Sequence, residues 1–157
     1  MNMKRSRLTA ATVALFLGAA MFTAAAHEGE HFSAGEPGNP KKPARTVTVI
    51  MSDSDGTMRF VPDRVDIKKG EQIRFILQNN GVLKHEFMLA NVKDNDKHAE
   101  LMKKYPDMEH DDPNAKSVDP GKTAEILWRF SKTGEFEFAC LIPGHREAGM
   151  HGFVHVK

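Results

Sequence analysis

Four short runs in this chain alternate apolar and polar residues with a period of two. Val47, Val49 and Met51 alternate with Thr46, Thr48 and Ile50. Ile73, Phe75 and Leu77 alternate with Gln72, Arg74 and Gln78, and Ile126, Trp128 and Phe130 with Glu125, Leu127 and Arg129. Phe136 and Phe138 alternate with Glu135 and Glu137. Successive side chains of a strand point to opposite faces, so each run is a strand with one buried face. Turn chemistry separates the runs: Ser54-Asp55-Gly56, Lys69-Gly70, Asn79-Asn80-Gly81, Asp119-Pro120-Gly121 and Thr133-Gly134. Strands of this length with such turns predict a mainly β, antiparallel sandwich.

One stretch leaves the pattern. From Asp96 to Tyr105, Ala99, Leu101, Met102 and Tyr105 fall at roughly helical spacing, with Asp94 and Asp96 placed to cap the start. Pro106 to Lys122 reads as loop. Together they predict a helix-bearing insertion around residues 94–119.

The amino terminus carries a different signal. Lys4, Arg5 and Arg7 precede an uncharged run from Leu8 to Phe22 and the small residues Thr23 to Ala26. This is the layout of a cleavable secretory signal over residues 1–26, and its apolar run is shorter than the ~20 residues of a membrane span. A periplasmic protein without stable membrane insertion is expected. Residues 27–44, with Pro37, Pro40, Pro43, Gly35 and Gly38, read as a flexible arm, leaving 45–157 as the folded domain. The net charge of +1 supplies no basic field for nucleic acid.

Export makes the single cysteine informative. Exported domains of this size commonly use disulfides, yet this chain has only Cys140. A lone thiol there is an oxidation liability unless something occupies it. Strand parity puts Cys140 on the inward face with Phe136 and Phe138, and puts His85 inward with Phe87 and Leu89. After Cys140, a Pro143-Gly144 turn delivers His145, and a second tight stretch ending in Gly149 delivers Met150. A thiolate, two imidazoles and a thioether form a soft donor set suited to copper, in trigonal His₂Cys geometry with a weak axial Met. Zinc could use the Cys and two His, but thioether is a poor ligand for it.

Cys140-x₄-His145-x₄-Met150, with its Pro-Gly-His turn and His85 upstream, resembles the cupredoxins, the type 1 blue copper proteins of the plastocyanin and azurin kind. The likeness spans roughly Arg45 to Lys157. It looks most like small periplasmic cupredoxins associated with copper tolerance. The resemblance implies a Greek-key β-sandwich holding one type 1 copper ion, with His85, Cys140 and His145 equatorial and Met150 axial. It also implies an electron port at the exposed edge of His145, framed by Val82, Leu83, Ile142 and Pro143. Phe136, Phe138 and Trp128 are expected to form a low-dielectric shell. Two features depart from the plastocyanin and azurin pattern. Glu86 stands where Asn follows the first ligand histidine, and the insertion is longer than plastocyanin's. Ala139 and Leu141 flank Cys140, so the His-Cys-His relay of the copper oxidases is absent.

Four protein ligands leave no position for substrate, so a non-enzymatic role is expected. One reading is a monomeric one-electron shuttle, with a cytochrome, oxidase or reductase as its redox partner. The other is a copper-tolerance protein that sequesters copper or passes it to a copper-handling partner. His27 and His31 on the arm could then gather copper, with Met102, Met108, His110, His151 and His155 as weaker soft-metal positions.

Overall fold

The computed structural model describes residues 31–157. The proposed signal segment and His27 lie outside the described residues. Ten strands and one helix follow in order: β1 (Glu36–Pro37), β2 (Arg45–Ser52), β3 (Arg59–Val61), β4 (Arg64–Ile67), β5 (Gln72–Asn79), β6 (His85–Ala90), α1 (Val92–Lys104), β7 (Ala115–Val118), β8 (Thr123–Arg129), β9 (Gly134–Ala139) and β10 (His151–Val156). One sheet has the order β1-β8-β5-β2-β3 and the other β4-β10-β9-β6-β7. This is the expected mainly β sandwich with one short helix.

The four alternating runs are β2, β5, β8 and β9, and their apolar residues fill the space between the sheets. Val49, Met51, Ile73, Phe75, Leu77, Ile126 and Trp128 enter from one side, and Phe87, Leu89, Phe136, Phe138, Val154 and Val156 from the other. Full burial of each such side chain contributes about 1.5–3 kcal/mol. Phe87 and Phe138 stack with centroids 5.2 Å apart, and Phe60 meets Phe138 edge-on at 5.4 Å.

Four expectations need correction. The sheets are mixed rather than antiparallel, because β2 pairs with β5, and β10 with β4, in parallel. The helix starts earlier, at Val92, and its cap is Asn91, whose side chain accepts from Asp94 N at 2.7 Å. The loop after it contains a strand, β7, antiparallel to β6.

The fourth correction concerns the arm, which is held over its described part. Glu36 and Pro37 pair with Arg129 and Trp128. Ala34 is wholly buried, and its carbonyl accepts the Trp128 indole N–H at 3.2 Å. A buried indole needs an acceptor, and the arm supplies it. Gly35 has φ +139°, and a Cβ there would lie 2.2 Å from the Arg129 carbonyl oxygen, so this glycine serves close approach rather than flexibility.

The outer face of the second sheet is also covered. Met102 of α1 packs with Ala139 and Leu141. Nearby, the buried Glu137 takes a two-pronged ion pair from Arg146, at 3.0 and 2.8 Å, and Arg146 also reaches Asp96 of α1 at 2.7 Å. The insertion is thereby tied to the residue next to His145.

Candidate metal centre

His85 opens β6, and Cys140 directly follows β9. These strands are antiparallel neighbours, with Met88 opposite Ala139, so the start of one and the end of the other meet at one end of the sandwich. Both side chains are wholly buried and point inward, above the stacked Phe87 and Phe138 that precede or follow them by two residues.

The segment after Cys140 folds back on itself. His145 N donates to Ile142 O, Gly149 N to Arg146 O, and Met150 N to His145 O, each at 3.0 Å. Cys140 N donates to Met150 O at 3.0 Å, closing the loop at its base. Gly149 makes the last bend with φ +106°, and a Cβ there would press on Met58 O at 3.0 Å. Met150 is delivered wholly buried.

Three donor atoms converge as a result. Nδ1 of His85 lies 3.3 Å from Nδ1 of His145, which lies 3.3 Å from Cys140 Sγ. The three residues form a group able to hold a metal ion, with their donor atoms within 4.8 Å of one another. Glu86 N donates to Cys140 Sγ at 3.3 Å, the kind of contact that steadies a thiolate.

Electrostatics fit a cation. Burial, and secondarily the neighbouring His145, holds His85 below the ordinary imidazole range, and burial does the same to His145. Both rings are therefore neutral with lone pairs to offer near pH 7. Burial pushes the Cys140 thiol up to about 12, against the lowering effect of the Glu86 N–H. A metal ion must displace that proton, so binding releases it.

Asp53 completes the setting, and sequence reasoning missed it. Its Oδ2 lies 3.2 Å from His85 Nε2, at ion-pair distance, on the side of the ring away from Nδ1. Burial acts to raise the Asp53 carboxyl, but the N–H groups of Val82 and Leu83 and the adjacent His85 outweigh it and lower it. A carboxylate behind a ligand histidine orients the ring and fixes its tautomer. The same carboxylate holds the 82–83 loop, accepting from Val82 N at 3.0 Å and Leu83 N at 2.7 Å. The only prior sign of it was its place beside the Ser54-Asp55-Gly56 turn.

The other expected positions divide. Val82 and Leu83 are 82% and 43% exposed beside the centre. Trp128 does not belong to its shell: it pairs with Ile73 at the start of β5, whereas the centre lies beyond the far end of that strand. Phe87, Phe138 and Phe60 form the aromatic floor instead. His31 and His151 are exposed, and Met108 packs against the Met102 group. Met102 and His110 do converge, with His98 and Glu86, away from this centre.

Comparison with known proteins places the chain among copper-binding proteins. Residues 47–157 match the model of the family described as copper binding proteins, plastocyanin/azurin family. A "Copper-resistant cuproprotein CopI" of Rubrivivax gelatinosus is 47% identical over 137 residues, covering 84% of this chain and 81% of that protein. A protein of the same name from Pseudomonas aeruginosa is 34% identical, with 91% of each chain covered. Among solved structures, dithionite-reduced auracyanin from Roseiflexus castenholzii superposes with a TM-score of 0.63 at 17% identity, over 74% of this chain and 99% of its own.

Proposed function

The chain belongs to the plastocyanin/azurin family of copper-binding proteins, and from that premise we propose that it is a periplasmic copper-tolerance protein. It holds one copper ion through His85, Cys140 and His145, with Met150 as a weak fourth ligand. The observation that carries this reading is the convergence of two imidazole nitrogens and one thiol sulfur in a buried pocket. The copper-resistance name shared by its relatives in Rubrivivax gelatinosus and Pseudomonas aeruginosa supports the tolerance role.

Copper bound there supplies one-electron cycling between Cu(I) and Cu(II). The residues of the chain do the rest. Cys140 gives up its proton and provides the anionic donor, while Glu86 N–H and the aromatic floor keep water from the sulfur. Asp53 stands behind the His85 ring, and the closed 140–150 loop holds His145 and the buried Met150; with Met150 as fourth ligand no position is left for substrate, which supports a non-enzymatic role. Among the described residues no helix is long and apolar enough to cross a membrane.

A second reading, electron exchange with a redox protein, draws on the exposed Val82 and Leu83, which Asp53 holds behind His85. Exposed apolar side chains beside a metal centre suit brief docking of a partner. Survival on copper separates the two readings. A strain producing only the Cys140→Ala protein is expected to be as copper-sensitive as a deletion strain. Full tolerance in that strain would overturn the tolerance reading.

A further inference from the structure

Glu86 is buried to 1% exposure, and neither of its carboxylate oxygens has a hydrogen-bond partner. It follows His85 on β6, so it points to the opposite face of the sheet, beneath the insertion. Two imidazoles meet it there. His98 Nε2 lies 3.5 Å from Glu86 Oε1 and His110 Nε2 lies 3.6 Å from it, while the two nitrogens are 3.2 Å apart. The thioether of Met102 is 3.4 Å from His110 Nε2. The hydrogen bonds among these groups run between the two rings and from His110 to the sulfur, and the carboxylate oxygens receive none.

A buried carboxylate with no hydrogen bond, facing two imidazoles that pair with it only when protonated, is an unfavourable arrangement in the metal-free protein. One cation among the groups would satisfy both nitrogens and the carboxylate together. The scaffold is built for it. His98 and Met102 stand four residues apart on α1 and share a face. His110 is tied to β7 through Ser117, whose N–H donates to His110 O at 3.0 Å. His110 Nδ1 faces Asp112 Oδ2 at 3.5 Å, which turns Nε2 toward the cluster as a carboxylate does behind a ligand histidine. A cleft of about 100 Å³, lined by Glu86, Met102, Met108 and Ile142 among others, gives access to the carboxylate.

We propose that Glu86, His98 and His110, with the Met102 sulfur beside them, form a second copper site on the other face of the sheet from the cysteine centre. Copper heads the affinity order of divalent ions for nitrogen and oxygen donors, and a thioether suits Cu(I) rather than zinc or magnesium. The departure at Glu86 and the added insertion thus become parts of one feature. This site does not depend on the cysteine centre being occupied.

The test is copper loading of the full chain, with bound metal counted and visible absorption recorded together. The thiolate-to-copper band reports the cysteine centre, whereas copper at the second site adds to the count without adding to that band. The double substitution His98→Ala with His110→Asn is expected to lose about one copper ion per chain and leave the band unchanged. An unchanged count overturns the proposal. Glu86→Gln preserves shape and removes one carboxylate oxygen donor, so it is expected to weaken copper at this site about tenfold or more while leaving the thiolate-to-copper band unchanged. Undiminished affinity in Glu86→Gln also overturns it. In crystals of the copper-loaded chain, anomalous scattering at the copper edge is expected between His98 and His110. Its absence there while the cysteine centre is filled contradicts the site, and zinc retained against equal copper contradicts the choice of metal.

Discussion

Cys140 and His85 were legible in the sequence because strand parity aims side chains without reference to the rest of the fold. Asp53 was not, because its importance comes from a fold-dependent meeting of residues 53, 82, 83 and 85. Met150 stands between these cases: its place in the loop follows from spacing, and its role as a weak axial donor is a proposal about chemistry. Substituting Met150→Leu is expected to retain copper but raise the reduction potential, since an axial ligand tunes more than it holds. His85→Ala is expected to weaken copper retention further than Met150→Leu. Voltammetry and chelator competition check both, and the reverse order of retention would contradict the assignment.

At the scale of elements, the four alternating runs appear as β2, β5, β8 and β9. Several strands were not legible, among them β10, whose six residues include a glycine and two histidines, and shorter ones. β3 and β4 have three and four residues, too few for a period to show. β7 has four residues and takes its partner from β6 rather than from any pattern of its own. The helix was visible, but its cap was not, because three candidate capping residues lie within six positions. The element that matters most for the metal centre is the link from α1 to the ligand loop. Arg146 neutralises the buried Glu137 and binds Asp96 of α1. Arg146→Ala leaves a buried carboxylate without its cation and is expected to cost about 3 kcal/mol in denaturant unfolding. Adding Glu137→Gln should recover much of that loss, and the failure of the double variant to recover would mean that Arg146 acts through some other contact.

For the whole molecule, fold class was readable and the fate of residues 31–44 was not. Glycine and proline indicate a break in regular structure, but they do not distinguish a free arm from an edge strand. What decides is the buried Trp128 N–H, a demand that arises only once the sandwich has formed. The closed sandwich also gives the metal-free protein a definite pH profile. His85 and His145 have folded values depressed from 6.5, so the unfolded chain binds more protons below that pH and stability falls as acid is added. Cys140 is raised from 9.0 to about 12, so the folded state holds a proton that the unfolded chain has lost, and stability falls as pH rises through that interval. The melting temperature of the metal-free protein should therefore be highest between about pH 6.5 and 9. Copper should abolish the alkaline loss, since the thiol proton is already gone. A melting temperature that keeps rising below pH 6 would contradict these burial effects.

The most direct measurement is a titration of the full chain with Cu(II), followed by visible absorption and electron paramagnetic resonance. A strong thiolate-to-copper band should grow to saturation at about one equivalent in that centre and be lost in Cys140→Ala. Copper uptake with no such band, or a band that persists in Cys140→Ala, would contradict a copper ion bound to this sulfur.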